Sequence, residues 1–289
     1  MEYFFLLLSA ALFAAEFIFS KLYQKSAGDS VKCGFLFSML CSIFSCIFVF
    51  CFNGFKVSFS LFSTVFALVL AASSLIFNVT SIKTVHLGSL SVYTLFTMLG
   101  GMMIPFFMGI FYLNEKISAA TGAGTVLIII SILLTVVFGK DRKLGGALFY
   151  ALCTVVFFAN GMCSTIGKLH QIDSRAVGTL DYLVIVYGLN AVISLILFLC
   201  VSGRKGLEKR LPAKAVFSTA AYALLNGAAT ILMFNVAKNV DASLLYPIVT
   251  GGTILFSAVF SRIVYKEKSS AAGVVSLAIA FAGTVLFAL

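Results

Sequence analysis

Long apolar runs constrain this chain more than any other feature of its sequence. Of its 289 residues, 61% are hydrophobic and only 10% are charged, and the mean hydropathy is +1.12. A bilayer core of about 30 Å needs about 20 apolar residues per helical span, and runs of that length follow one another with only short polar links. The chain is therefore predicted to be an all-α integral membrane protein. No stretch outside the runs is long enough to build a soluble catalytic domain.

Ten such runs can be placed, five on each side of a charged link. The first half, residues 1–138, holds runs at 3–22, 33–52, 60–81, 89–113 and 118–138. The link occupies 139–143. The second half, residues 144–289, holds runs at 144–169, 177–201, 213–237, 242–264 and 269–289.

The two halves share a sequence repeat. AASSLIFNV at 71–79 and AATILMFNV at 228–236 have six identities in nine positions at an offset of 157, and the identities include Asn78 with Asn235. A weaker match at an offset of 144 places Asn160 at the position of Glu16. Because each half has an odd number of spans, the two copies must cross the membrane in opposite directions. The predicted fold is ten transmembrane helices arranged as two inverted five-helix repeats.

The cations are distributed unequally between alternate loops. Counted together with the adjoining ends of the runs, the loops after spans 1, 3, 5, 7 and 9 hold 15 Lys and Arg, whereas the N-terminus and the other loops hold 5. Because cytoplasmic loops carry the excess of cations, this count predicts a multi-pass protein of the cell membrane with both termini outside. The net charge of +10 has the same explanation, so a nucleic-acid partner is not expected.

Glu16 lies near the middle of the first run, where an ionised carboxylate costs at least ~2.5 kcal/mol unless it is paired or hydrated. Ser9 and Ser20 share its helical face, seven residues before it and four after it. This pattern predicts a polar cavity in which Glu16 binds a cationic group of the cargo or carries a coupled proton. A structural role, as a carboxyl group hydrogen-bonded within the bundle, is the alternative.

Further substrate-binding candidates are polar side chains in apolar runs, where an amide or a phenol needs a partner. They are Asn78, Tyr93, Asn160, Asn235 and Tyr246. Interhelical hydrogen bonds would explain any one of them equally well. The pairs Gly100-Gly101 and Gly251-Gly252 predict close helix packing.

The sequence predicts neither a cofactor nor a metal site. The two histidines, His86 and His170, stand far apart, and the seven cysteines form no C-x-x-C pair and are interpreted as small hydrophobic residues. The phosphate-binding G-x-x-x-x-G-K-[ST] loop is missing from the sequence, which excludes a built-in ATP motor. An enzyme is not expected, although an intramembrane hydrolase that uses Glu16 or Asp181 is an alternative.

Two segments at matching places in the halves follow one plan: VYTLFTMLGGMMIPFFMGIFYLNEK at 92–116 and SLLYPIVTGGTILFSAVFSRIVYKEK at 243–268. Each has a pair of glycines and ends at an acidic residue, Glu115 or Glu267, and the second has Pro247 within its span. In this plan the chain resembles the EamA-like transporters of the drug/metabolite transporter superfamily. The resemblance implies a ten-helix inverted repeat with a central cavity between spans 1, 3, 4, 6, 8 and 9 that moves small metabolites, often outward.

Together, the resemblance and the polar residues predict a secondary transporter, an exporter of a small metabolite such as an amino acid or an amine. It would work by alternating access in the lipid bilayer, as a monomer or a homodimer. The first span is also similar to the first helix of small multidrug resistance proteins, whose membrane glutamate exchanges protons for substrate. That similarity favours a lipophilic-cation exporter as an alternative. An intramembrane enzyme acting on lipid is the alternative from another class.

Overall fold

The computed structural model describes residues 1–28, 30–137, 146–202, 211–265 and 271–287, and every regular element within them is an α-helix. Lipid offers no hydrogen-bond partner to the backbone, and a helix satisfies its own N–H and C=O groups. The helices are α1 (Glu2–Ala27), α2 (Val31–Phe52), α3 (Leu61–Leu87), α4 (Leu90–Phe111), α5 (Ala119–Val137), α6 (Ala147–Ile172), α7 (Thr179–Ser202), α8 (Ala213–Val236), α9 (Ala242–Tyr265) and α10 (Ala271–Leu286). The predicted link at 139–143 and Glu267 lie outside the described residues.

Among the described residues, eight helices are long and apolar enough to cross a membrane, so the chain is a multi-pass membrane protein. The other two, α5 and α10, contain the shorter apolar stretches Ala119–Leu134 and Gly273–Leu286. Each of the ten predicted runs coincides with a helix. The largest differences are at the ends of α1 and α3, which continue five and six residues past their apolar runs. The added residues include polar ones, such as Lys25 in α1 and Thr84 in α3.

Serine side chains mark where two of the helices begin. Ser60 Oγ accepts a hydrogen bond from the Ser63 backbone N–H at 3.1 Å at the start of α3. Ser118 Oγ accepts one from the Thr121 N–H at 3.0 Å at the start of α5. Each bond satisfies a donor that a helix N-terminus leaves without a partner in the helix. The two caps explain why these helices start where the apolar runs start.

The helices of the two halves pack against each other in matching pairs. α1 packs on α8 and α9, and α6 packs on α3 and α4. α2 packs on α8 as α7 packs on α3, while α2, α4 and α5 pack on α7, α9 and α10 respectively. Replacing each helix by the equivalent helix of the other half, five positions along the chain, turns each of these pairs into a pair of the same set. The pairs α2–α7, α4–α9 and α5–α10 are turned into themselves.

The helices of two of these pairs, α5 with α10 and α2 with α7, run in opposite directions. On α5 and α10, Ser131 Oγ donates to the Ser276 carbonyl at 2.8 Å, and Ser276 Oγ donates to the Ser131 carbonyl at 2.8 Å. Seven residues earlier on α5 and later on α10, Gly124 lies against the Gly283 carbonyl. An offset of 152 residues aligns Ser131 with Gly283 and Gly124 with Ser276. The alignment of the two halves therefore converts the Ser131–Ser276 contact into the Gly124–Gly283 contact. α2 and α7 also contact each other in antiparallel order.

Two clusters of buried apolar side chains hold the bundle together. One joins α1, α4, α5 and α9 around Leu6, Met102 and Leu245. The other joins α2, α3, α6, α7 and α8 around Val49 and Tyr182. Together they fix the positions of α1, α7 and α8, which carry most of the polar residues of the candidate site.

Candidate functional site

Glu16 is buried near the middle of α1, with 6% of its surface exposed. Its carboxylate accepts two hydrogen bonds from α8: the Tyr222 phenol donates to Oε1 at 3.3 Å, and the Asn226 amide donates to Oε2 at 3.0 Å. Tyr187 of α7 donates to the Asn226 amide oxygen at 3.2 Å. Neither donor to the carboxylate carries a charge. We call Glu16, Tyr187, Tyr222 and Asn226 the acid cluster.

The spacing of polar residues along α1 and α8 brings the acid cluster together. Tyr222 and Asn226 are four residues apart, so their side chains leave the same face of α8. Ser9 and Glu16 are two helical turns apart on α1, and Ser9 Oγ donates to the Ala229 carbonyl of α8 at 2.9 Å. The polar stripe predicted on the first span therefore faces α8 at both residues.

A second group of neutral polar side chains joins α2, α3 and α7. Ser74 Oγ donates to the Asn190 amide oxygen at 2.9 Å. The Asn78 amide donates to Ser38 Oγ at 3.5 Å, and Ser38 Oγ lies 3.1 Å from Ser194 Oγ. We call these five residues the amide cluster. It contains Asn78, a predicted site residue, but none of the other predicted ones.

α7 connects the two clusters. Tyr187 belongs to the acid cluster, and Asn190 and Ser194 belong to the amide cluster; spacings of three and four residues place all three on one face of α7. Glu16, Asn190 and Asn226 each lie near the middle of their helices. The result is a layer of polar side chains at mid-depth, the location at which secondary transporters bind their cargo.

Aromatic rings lie beside the acid cluster. The Phe37 ring of α2 meets the Tyr222 ring edge-on, with centroids 5.0 Å apart, and lies 4.6 Å from the Tyr23 ring. A cation that approached Glu16 from this side would meet aromatic faces as well as the carboxylate, and such faces attract cations.

The acid cluster has no mirror image in the first half of the chain. At the repeat offset of 157, Val65 and Val69 of α3 stand at the positions of Tyr222 and Asn226, and both are exposed. Asn160, the counterpart of Glu16, donates instead to the Thr97 carbonyl of α4 at 2.8 Å. Asn160 therefore connects α6 to α4 and does not take part in either cluster.

Two further predicted site residues, Tyr246 and Tyr93, lie apart from the acid cluster. Tyr246 has 4% of its surface exposed, and its phenol donates to the Ser164 carbonyl of α6 at 2.5 Å. Tyr93 is half-buried on α4, beside Ser81 and Cys153. The Tyr246 phenol connects α9 to α6, as Asn160 connects α6 to α4.

Asn235 is exposed at the end of α8, far along the helix from Asn226. It lines an open depression of about 240 Å³ together with Asp181 and Lys238. Asp181 is partly buried there and accepts a hydrogen bond from the Asn53 amide at 2.6 Å. The repeated asparagines Asn78 and Asn235 therefore lie in different environments.

His170 is fully buried near the end of α6. Its Nε2 lies 2.9 Å from Ser63 Oγ, and its ring stacks on that of Tyr182 with centroids 3.6 Å apart. In the loop that follows, Arg175 donates to both carboxylate oxygens of Asp173 and thereby lowers the pKa of Asp173 to about 2. In the part of the chain that the structure describes, no three His, Cys, Asp or Glu side chains form a group that could hold a metal.

The polar residues around Glu16 were not predicted from the sequence. Tyr187, Tyr222, Asn190 and Asn226 are polar residues in apolar runs, as the predicted residues are, but they do not recur between the halves. The spacing of Tyr222 and Asn226 along one helix face was the available signal. Only the packing of α1 on α8 identifies the carboxylate they bind.

Comparisons with known proteins agree with the fold and leave the activity open. No family model matches the chain, and no curated protein matches it. Among solved structures 29 chains match. One of them, described as "Crystal structure of protein", has a TM-score of 0.79 and 13% sequence identity, over 99% of this chain and 95% of that chain. At that identity, the likeness shows a shared fold over nearly the whole chain.

Proposed function

We propose that this protein is a secondary transporter that moves a small amine-containing metabolite across the cell membrane, and that Glu16 is its central functional residue. The observation that carries the proposal is a buried mid-helix carboxylate to which, among the described residues, two neutral side chains donate hydrogen bonds. A carboxylate at that depth is costly, and membrane proteins retain such groups mainly along substrate or proton paths. A protonated amine or a transported proton would supply the missing positive charge.

The proposed architecture is an inverted repeat of two five-helix halves, 1–138 and 144–289, in a bundle of ten transmembrane helices. Its support is the set of matching helix pairs and the exchange of the Ser131 and Gly124 contacts described above. In inverted-repeat transporters, two nearly equivalent halves can exchange conformations and so expose a midplane site to each side in turn. Resemblance to EamA-like transporters leads to the same proposal, with export as the direction.

A lipophilic-cation exporter is the second candidate. The rings of Phe37, Tyr222 and Tyr23 next to Glu16 favour it, because aromatic faces and a carboxylate together bind large apolar cations. The two candidates differ in how much apolar surface the cargo carries. Competition between a small primary amine and tetraphenylphosphonium for the same flux would separate them.

Flux measurements in proteoliposomes test the proposal. The purified protein is reconstituted and offered a panel of radiolabelled amino acids and amines, with protein-free liposomes as the control. We expect saturable flux of at least one amine, recovered chemically unaltered inside the vesicles. Turnover of a membrane lipid, without flux, would support the intramembrane enzyme instead.

The matched control for Glu16 is Glu2. Both residues are acidic and both belong to α1, but Glu2 lies in the first turn of the helix, where its charge is compatible with solvent. Glu2→Gln should transport like the parent, whereas Glu16→Gln should not. Equal impairment by the two substitutions would refute a specific role for the buried acid.

A further inference from the structure

A buried lysine binds the turn between α8 and α9, residues 237–241, which we call the corner. Lys168 of α6 has 3% of its surface exposed, and its ammonium group donates to the Ala237 carbonyl at 2.5 Å and the Val240 carbonyl at 2.6 Å. These carbonyls follow the end of α8, where a helix leaves acceptors without partners and where its dipole favours a cation. Lys168 therefore caps α8 from another helix.

A partly buried anion binds the other side of the same turn. Glu115 follows α4, and its two carboxylate oxygens accept hydrogen bonds from the backbone N–H groups of Ala242 at 2.8 Å and Ser243 at 2.9 Å. These groups begin α9, where unpaired donors and the helix dipole favour an anion. Glu115 and Asp241 are also within electrostatic reach of Lys168.

The backbone conformation after α4 places Glu115 beside the start of α9. Asn114 adopts a left-handed conformation with φ of 54°, which asparagine tolerates better than most residues and which turns the chain back on the helix. Gly109 leaves room for the carboxylate, since a Cβ there would overlap Glu115 Oε2. Gly109 and Asn114 together allow the Glu115 carboxylate to reach the start of α9.

The corner is closed in this structure. Ala237, Ala242 and Leu245 are fully buried, and the apolar cluster they belong to includes Leu6 near the start of α1. α1, α4, α6, α8 and α9 thus meet at one end of the bundle. Alternating access requires one end to be shut while the other is open.

We propose that Lys168 and Glu115 form a two-point latch on the α8–α9 corner, which keeps this end of the transporter shut and must release in each transport cycle. The two residues are positioning residues, because they bind backbone groups of the corner and belong to neither the acid cluster nor the amide cluster. The latch rests on the proposed transport function for its role in a cycle, but its closing effect can be measured without any cargo.

The test is thiol labelling of Val240→Cys with a membrane-impermeant maleimide. Val240 has 7% of its surface exposed, so a thiol introduced there should react slowly while the corner is closed. Cys51, exposed at the same end of the bundle, provides a reference thiol in every sample. Adding Lys168→Met should raise the labelling rate of the introduced thiol by about tenfold, equivalent to ~1.4 kcal/mol of closing free energy, and leave Cys51 labelling unchanged.

Two further variants keep the test decisive. Glu115→Gln removes the charge at the second point of the latch and should raise labelling in the same direction. Lys238→Met is the matched control, because it removes an exposed cation from the same corner and should leave labelling at the parent rate. Should Lys168→Met fail to purify as a monodisperse protein, Glu115→Gln decides alone.

Labelling at the parent rate in the latch variants would overturn the latch. Flux separates this result from a failure of the proposed function. A latch without transport would give faster labelling of the introduced thiol in the latch variants and no saturable flux in the parent protein. Transport without a latch would give saturable flux in the parent and unchanged labelling in the variants.

Discussion

The Glu16 carboxylate can accept more hydrogen bonds than Tyr222 and Asn226 donate to it. A carboxylate offers about four acceptor positions, and among the described residues Tyr222 donates to one of its oxygens and Asn226 to the other. A purely structural acid in a membrane bundle gains most when all of its positions are filled, because an unfilled one costs free energy in a medium without water. The remaining positions can bind an ammonium group of the cargo or a proton.

Glu16→Gln therefore separates the roles of the acid. The amide retains the shape of the side chain but cannot titrate, so concentrative transport should fall by roughly 100-fold, the loss of ~2.7 kcal/mol expected for a charge-assisted contact. Proteoliposome uptake against a gradient measures it. If Glu16 only carries a proton, the variant still exchanges cargo without an energy source; if it is the counter-charge for an amine, exchange is lost too.

The pH dependence of transport provides the result that would contradict both proposed roles of Glu16. Transport that is unchanged in Glu16→Gln across pH 6 to 8 would assign the acid a structural role. Asp173 does not confuse this comparison, because Arg175 lowers its pKa to about 2 and its charge is lost only as the pH falls towards that value. Asp173 remains ionised throughout the tested range.

Asn226 is expected to matter more for stability than Tyr222. Its amide serves two partners, since it donates to Glu16 and accepts from Tyr187. Asn226→Leu leaves both of them without that partner and should lower stability by ~1–3 kcal/mol. Tyr222→Phe removes one long hydrogen bond of 3.3 Å and keeps the ring contact with Phe37, so its effect should be smaller. Thermal unfolding in detergent ranks the two variants, and the reverse order would contradict the geometry.

At the scale of helices, glycine sets how closely α4 and α6 approach. A Cβ on Gly100 would overlap the Phe157 carbonyl oxygen, and one on Gly161 would lie 2.7 Å from the Gly100 carbonyl oxygen. The three nearest neighbours of a Cβ on Gly100 are all backbone atoms of Phe157, which cannot move aside as a side chain can. The contact therefore depends on both residues remaining glycine.

Gly100→Ala should destabilise the protein by ~1–3 kcal/mol, because it forces a methyl group into this contact. Gly188 on α7 is the matched control, since a Cβ there meets nothing within 4 Å. Gly188→Ala should leave stability unchanged or raise it by up to ~1 kcal/mol, the cost of a glycine in a helix. Melting temperatures of the two variants test the difference, and equal shifts would contradict it.

The sequence could predict the helices because each apolar run is long enough to form one helix. It could not predict where α1 and α3 end, since residues such as Lys25 and Thr84 extend them at the C-terminal side without being apolar. Glu16 could be found from its chemistry alone, as a charge within a run. Its partners could not, because Tyr222 is 206 residues away in the chain and only packing brings the two together.

For the whole molecule, the contact between α5 and α10 at Ser131 and Ser276 tests one of the helix pairs that support the inverted repeat. Ser131 Oγ and Ser276 Oγ lie 3.0 Å apart, so a cysteine pair at these positions should form a disulfide under a membrane-permeant oxidant. The pair Ser131→Cys with Thr284→Cys is the control, because about 12 Å of helix rise separates Thr284 from Ser276. Both pairs need a background free of the native cysteines. Crosslinking of the control pair alone would contradict the crossing.

The orientation of the molecule follows from its loop charges. The loops after the odd-numbered spans and the adjoining run ends hold 15 cations against 5 on the other side, so reporters fused after Lys143 or within 202–212 should report the cytoplasm. A reporter at Leu289 should report the outside. The α8–α9 corner follows an even-numbered helix, so the proposed latch would then close the outer end of the transporter. The opposite reporter pattern would place the latch on the inner end, while the helix pairs that support the inverted repeat would be unaffected.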